Sequence, residues 1–258
     1  HHYQKIASFS KHIFSLFFSV VAQTQADADR LSQLSANNIE VSGNIKSEII
    51  VDDALRQSAY DLKSQWTQFG AKKIIVAASI HPKEEEMILL AYQTLKSFSP
   101  DSLLLIVPRH PERFDAVSDL CRHHGLAASL RSQPDAFSAN VDVIIGDTMG
   151  GMMSFYGAAD IAIVGGSFIA HGGHNMLEAA AWGLPIISGT SVYNFLTIAK
   201  EMQQQQALLL VEASQLVDSV QHFIDNQTDA ADYGRRAKQY IEKNTGALAI
   251  TMRSIKRA

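Results

Sequence analysis

The stretch GGSFIAHGGHNMLEAAAWG, residues Gly165 to Gly183, decides the fold of this chain. It follows an apolar run, Ile161 to Val164, with the unbroken hydrophobicity of a strand buried on both faces. Gly165, Gly166, Gly172 and Gly173 permit sharp bends and close backbone approach. At Asn175, a favoured N-cap residue, the chain enters the helix formers Met176 to Trp182. Strand, glycine-rich loop and helix start are one link of a βαβ chain. Unpaired N–H groups and the helix dipole are expected to meet there in an anion site. The expected ligand bears phosphate, as a nucleotide sugar rather than a dinucleotide.

The same alternation extends outward from this link. Strands are predicted at Ile74–Ser79, Leu103–Pro108, Val141–Gly146, Ile161–Gly165, Pro185–Ser188 and Leu208–Val211. Helices are predicted at Glu84–Phe98, Pro111–His124, Gly151–Ala158, Asn175–Trp182, Asn194–Gln205, Ser214–Asn226 and Asp229–Asn244, before a short basic C-terminal segment. Apolar strands alternating with helices specify an α/β fold, a Rossmann-like parallel sheet with helices on both faces. The beginning differs. Tyr3–Phe18 is apolar, basic and amphipathic, Val20–Gln23 and Ile39–Ser42 read as short strands, and Ala26–Leu34 as helix. Asp27 and Asp29 form a D-x-D pattern in the first turn of that helix, where the dipole accounts for them better than a metal.

Composition narrows the function classes. The 258 residues can hold one large α/β domain, or one domain with part of another. A net charge of −4 gives no footprint for nucleic acid. The single cysteine, Cys121, has no partner for an internal disulfide and reads as core. The nearest approach to a membrane span, Ile13 to Ala22, is short and interrupted by Ser15 and Ser19. The opening His1-His2 reads as the stub of an affinity tag, and part of the protein is expected upstream.

Six motifs recur in order along the chain: GNIK at Gly43–Lys46, PRHPERF at Pro108–Phe114, GDTMG at Gly146–Gly150, VGGS at Val164–Ser167, GGHN with LEAAA at Gly172–Ala181, and YNF at Tyr193–Phe195. As a set they resemble the Kdo transferases, bacterial enzymes that add 3-deoxy-D-manno-octulosonic acid (Kdo) to the lipid A precursor. The resemblance implies a GT-B glycosyltransferase of two facing Rossmann-like domains. Residues 1–45 would be the remnant of its N-terminal domain with the linker, and residues 46–258 the C-terminal domain that holds the nucleotide sugar. The implied donor is CMP-Kdo, the implied reaction inverting transfer in lipopolysaccharide synthesis, and neither cofactor nor metal is expected. The general base, acceptor surface and membrane anchor belong to a half that this chain does not match. The fragment is therefore expected to be soluble and inactive alone, and the full protein to work at the cytoplasmic face of the inner membrane. Apolar positions in Tyr3–Phe18, among them Ile6, Phe9, Ile13, Phe14 and Phe17, point to possible self-association of the fragment. The chain departs from the family at Met176 and Thr190, where proline is usual, at Gly151, where glutamate is usual, and at Ser47-Glu48, where Phe-Asp is usual.

The resemblance assigns donor binding to Pro108, Arg109, Met149, Gly150, Gly151, Asn175, Met176, Leu177 and Glu178. Arg109 follows a strand at its carboxyl end and offers a planar fork to an oxyanion, against the plainer reading of pairing with Glu112 or Asp115. The turn Met149–Gly151 would read cytosine through its backbone. Asn175 and Glu178 have capping-box spacing, and on residues alone that structural reading prevails. The family role sets Glu178 on ribose hydroxyls. Lys46 would stabilise the leaving phosphate or meet the Kdo carboxylate. His171 and His174 lack a third ligand at fixed spacing, so no metal is expected of them. His81 is expected at the cleft against donor or acceptor, and Glu84–Glu86 as a solvated first helical turn. Two other functions fit the glycine loop: a GT-B transferase using a UDP-sugar, and a non-catalytic nucleotide-binding module.

Overall fold

The computed structural model describes residues 7–133 and 140–257. Tyr3 and Ile6 of the first amphipathic stretch, and His1-His2, lie outside the described residues. Two compact units emerge, residues 50–240 and residues 1–49 with 241–258.

The larger unit begins with α3 (Asp53–Gln68), which Asp52 caps through a 2.8 Å bond from the Leu55 N–H. Seven strands follow: β3 (Lys73–Ile80), β4 (Ser102–Pro108), β5 (Ala128–Leu130), β6 (Val143–Ile145), β7 (Ile161–Val164), β8 (Ile186–Gly189) and β9 (Leu209–Val211). Their order across the sheet is β5-β6-β4-β3-β7-β8-β9, and every pairing is parallel. Setting aside the edge strand β5, this is the doubly wound order, which reverses between β3 and β7. Ligands of such sheets bind where the order reverses, outside the carboxyl ends of the strands.

The predicted strands are present, most within a residue or two. Period-2 geometry divides their side chains between two helical layers. Ile75, Ala77, Leu104, Ile106 and Ile163 join one core with α4 (Pro82–Lys96), α5 (Phe114–His123) and α9 (Leu216–Asp225). On the other side α3 packs with α6 (Met152–Ala158), and α6 with α7 (Leu177–Ala181). Sequence reading missed α3, whose burial is confined to Ala59, Leu62 and Trp66, and β5, which is only three residues long. Cys121 is fully buried, as expected, and burial pushes its thiol up to about 12.

The smaller unit holds α1 (Ala7–Ser15), the parallel pair β1 (Val20–Ala22) and β2 (Ile39–Val41), and α2 (Gln25–Ser32). Thr24 caps α2 by accepting from the Asp27 N–H, and Asp27 pairs with Arg30 at 2.9 Å, a structural use of the D-x-D pattern. The basic C-terminal segment is a helix, α11 (Ala247–Arg257). It is fastened within this unit by Glu48, whose carboxylate accepts from the Gly246 and Leu248 N–H groups at 2.5 and 3.2 Å. Phe9, Leu16, Phe17 and Phe18 are exposed. Among the described residues no helix is long and apolar enough to cross a membrane.

Candidate donor-binding site

The site forms where β3 and β7 end. At the end of β3 a bulge between Ala78 and Ile80 puts Ser79 in the left-handed region, at φ 56°. A non-glycine residue there carries strain, which concentrates at functional positions. His81 follows, and Pro82 opens α4.

Glu84 organises what lies opposite. Its carboxylate is fully buried and accepts four backbone N–H bonds: Gly166 at 2.7 Å, Phe168 at 2.9 Å, and Ser167 and His81 at 3.1 Å each. Glu85 is equally buried and receives a two-pronged bond from Arg113, at 3.1 and 2.6 Å. The solvated first turn expected of Glu84–Glu86 is thus corrected for its first two members. A buried carboxylate persists only where donors or cations meet it, and here they do.

This arrangement also corrects the anion site expected of the glycine loop. The N–H groups of Gly166, Ser167 and Phe168 are directed at Glu84, that of Gly165 at Ala78, and that of Gly173 at Gly166. The protein supplies its own anion. Gly166, at φ +67°, is required by packing too, since a Cβ there would lie 2.7 Å from the His174 ring. Gly189 is required likewise, because a Cβ would come within 2.2 Å of the Ser167 carbonyl oxygen.

The open cleft lies to one side, over the ends of β4 and β6. Its volume is about 380 Å³, and Ser79, Pro108, Arg109, Phe114, Met149 and Gly150 are among its lining residues. Arg109 is exposed and, among the described residues, makes no ion pair; Glu112 faces His110 instead, at 3.9 Å. Its loop is held by the Arg109 N–H donating to the Ile80 carbonyl at 2.9 Å. Met149 projects into solvent at 86% exposure, and Gly150 has φ +78° with open space around it. Gly151 begins α6, and a Cβ there would strike Phe155 at 2.8 Å.

Asn175, Met176, Leu177 and Glu178 do not line this cleft. Helix α7 starts at Leu177, two residues after the expected cap. Asn175 accepts from the Leu177 N–H at 3.2 Å and donates to the Glu178 carboxylate at 3.1 Å, so the pair interacts side chain to side chain rather than as a reciprocal capping box. Burial raises the Glu178 pKa above the usual carboxylate range, the Asn175 bond opposing it. Met176 and Leu177 are fully buried, which leaves only their backbone for a ligand. Lys46 belongs to the other compact unit.

Histidines connect the two groups. His81 and His174 share a proton between Nε2 atoms 2.8 Å apart, and the His171 ring lies 4.1 Å from that of His81. Burial, reinforced by His81 and Arg109, lowers His174 to about 4; burial and His171 lower His81 as well. Both are neutral at pH 7. Between pH 6.5 and about 4 the unfolded chain therefore binds more protons than the folded one at His174. Stability from this group is present above pH 6.5 and lost as pH falls towards 4. The melting temperature of a His174→Gln variant is expected to fall less than that of the unaltered chain between pH 7 and pH 4.5. Parallel profiles would refute the assignment.

Residues 70–240 match the family model for glycosyl transferases group 1, and residues 1–49 that for 3-deoxy-D-manno-octulosonic-acid transferase (kdotransferase). The chain is 34% identical over 252 residues to the 3-deoxy-D-manno-octulosonic acid transferase of Haemophilus influenzae, covering 96% of this chain and 58% of that protein. With the Bordetella pertussis enzyme of the same name identity is 37% over 186 residues, covering 70% and 42%. The chain thus spans roughly half the length of these relatives. The crystal structure of the C-terminal CMP-Kdo binding domain of WaaA from Acinetobacter baumannii superimposes with a TM-score of 0.69 at 30% identity, covering 74% of this chain and 99% of that one.

Proposed function

The chain belongs to the 3-deoxy-D-manno-octulosonic acid transferase family, within the group 1 glycosyltransferase fold, and from that premise we propose that it is the donor-binding half of a Kdo transferase. The observation that carries the proposal is the cleft at the ends of β4 and β6. It sets an arginine that makes no ion pair among the described residues beside a turn rich in open backbone. Its ligand is CMP-Kdo. Arg109 takes the phosphate, Met149, Gly150 and Gly151 present backbone to cytosine, and Pro108 stiffens the Arg109 loop. Glu178, oriented by Asn175, accepts from ribose hydroxyls, and Met176 and Leu177 contribute main-chain groups. Glu178 keeps one carboxylate oxygen without a protein partner among the described residues, which supports this role.

The reaction we propose is inverting transfer to the lipid A precursor. A hydroxyl oxygen of the acceptor bonds to the anomeric carbon of Kdo as the bond from that carbon to the phosphate oxygen breaks. CMP departs with the electron pair, and the hydroxyl proton passes to a carboxylate outside these residues. Arg109 stabilises the negative charge that builds on the leaving group. The whole protein acts at the cytoplasmic face of the inner membrane. The exposed apolar side chains of Phe9, Leu16, Phe17 and Phe18 suit an association there or with another copy of the chain.

Calorimetric titration tests the donor. CMP is expected to bind this chain more tightly than UDP or a dinucleotide, whereas preference for UDP would favour a UDP-sugar transferase. Transfer assayed with CMP-Kdo and lipid A precursor is expected to be absent, since loss of a general base alone costs about 10²–10⁴-fold in rate. Turnover by this chain would place the base within it. Glu178→Gln separates capping from binding. The amide still accepts the Asn175 bond, so the melting temperature should hold while CMP affinity falls. Lost stability with affinity preserved would assign Glu178 a structural role only.

A further inference from the structure

The three histidines at the switch point bear on a ligand other than the nucleotide. His81 follows β3, while His171 and His174 come from the loop after β7, so residues about ninety positions apart in sequence converge on one point. One ring nitrogen from each lies within 4.8 Å of the other two. The 2.8 Å between the His81 and His174 Nε2 atoms is already close to the edge of a metal coordination sphere. His171, exposed in the turn after β7, is the third imidazole of the group.

The environment suits a cation despite the positive residues nearby. The His81 ring is buried and that of His174 half-buried, so the cluster is partly shielded from water. Two ligands are braced before any metal arrives. The His81 main chain is fixed by the Glu84 carboxylate, and the His174 ring rests against Gly166, whose N–H meets the same carboxylate. Arg109 and His110 oppose a further charge, but both are exposed and therefore screened by water. Imidazole ligands select a borderline transition metal over magnesium or calcium, which prefer oxygen.

We propose that His81, His171 and His174 form a binding site for one divalent transition-metal cation of the zinc class. Three imidazoles leave a fourth position for water or an anionic oxygen, in the manner of open zinc sites. The proposal stands apart from donor recognition, since its test contains no nucleotide.

Zinc is the probe, in calorimetric titration at pH 7.5. His1 and His2 are replaced by alanine throughout, because paired terminal imidazoles would bind zinc themselves. The expected result is one saturable site per chain, weakened at least about tenfold by His174→Ala and by His171→Ala. His222→Ala, far along the sequence at an exposed Asp229 pair, should leave it unchanged. Cobalt(II) in place of zinc is expected to show the visible absorption of tetrahedral nitrogen coordination, lost in the same two variants. His171 is exposed, so its replacement keeps the fold, and thermal melting of each variant confirms it. No saturable zinc binding, or binding that survives loss of both His171 and His174, would overturn the site.

Discussion

Replacing Glu84 by alanine is expected to destabilise residues 50–240 by about 3–5 kcal/mol, the largest effect of any single substitution considered. The carboxylate is fully buried and holds the N–H groups of His81, Gly166, Ser167 and Phe168. Each donor stranded in the interior costs about 1–3 kcal/mol, reduced where water enters the vacated space. For a unit of this size the melting temperature should drop by about 6–20 °C, taking roughly 2–4 °C per kcal/mol. Glu86→Ala is the contrast. Its side chain is 62% exposed, and the change should stay within about 0.5 kcal/mol. Equal melting of the two variants would show that Glu84 does not anchor the loop. The consequence for function is direct, because the same carboxylate ties the end of β3 to the loop after β7 and so shapes the crevice between them.

Arg109→Ala should leave melting nearly unchanged while CMP affinity falls by about tenfold or more. A charge-assisted hydrogen bond is worth about 1.5–3 kcal/mol, and 1.4 kcal/mol is a factor of ten. The fold loses little because the side chain is exposed and makes no ion pair among the described residues. Main-chain bonding at residue 109, to the Ile80 carbonyl, survives the substitution. Arg109→Lys should recover only part of the affinity, since an ammonium replaces the charge but not the fork. Titration of CMP into both variants decides the matter, and unchanged affinity in a folded Arg109→Ala protein would remove Arg109 from the site. Higher salt should weaken CMP binding to the unaltered chain and have less effect on the alanine variant.

The sheet was legible from sequence because strands buried on both faces are unbroken apolar runs. Leu103–Val107 and Ile161–Val164 need no partner to be recognised. Family membership was legible too, since it rests on ordered motifs, and Pro108, Arg109, Met149 and Gly150, singled out along the chain, line one cleft. Helix α3 escaped because its apolar positions are few and its moment is carried by Ala59, Leu62 and Trp66 among polar residues.

What sequence alone determined are properties carried by local pattern: buried strands, bends at glycine and the order of motifs. Tertiary structure alone decided where the hydrogen-bond donors of the glycine loop go. Local pattern presents Gly166 to Phe168 as an open cradle for an external anion, and presents Glu84 as one of three acidic residues in a solvated turn. Folding brings the two together across more than eighty residues and satisfies each with the other. The same convergence adds His81 to His171 and His174, the third imidazole that spacing along the chain could not supply. The physical reason is common to both. A buried charge or donor is stable only with its partner, and in a parallel sheet the partners at a switch point come from strands far apart in sequence.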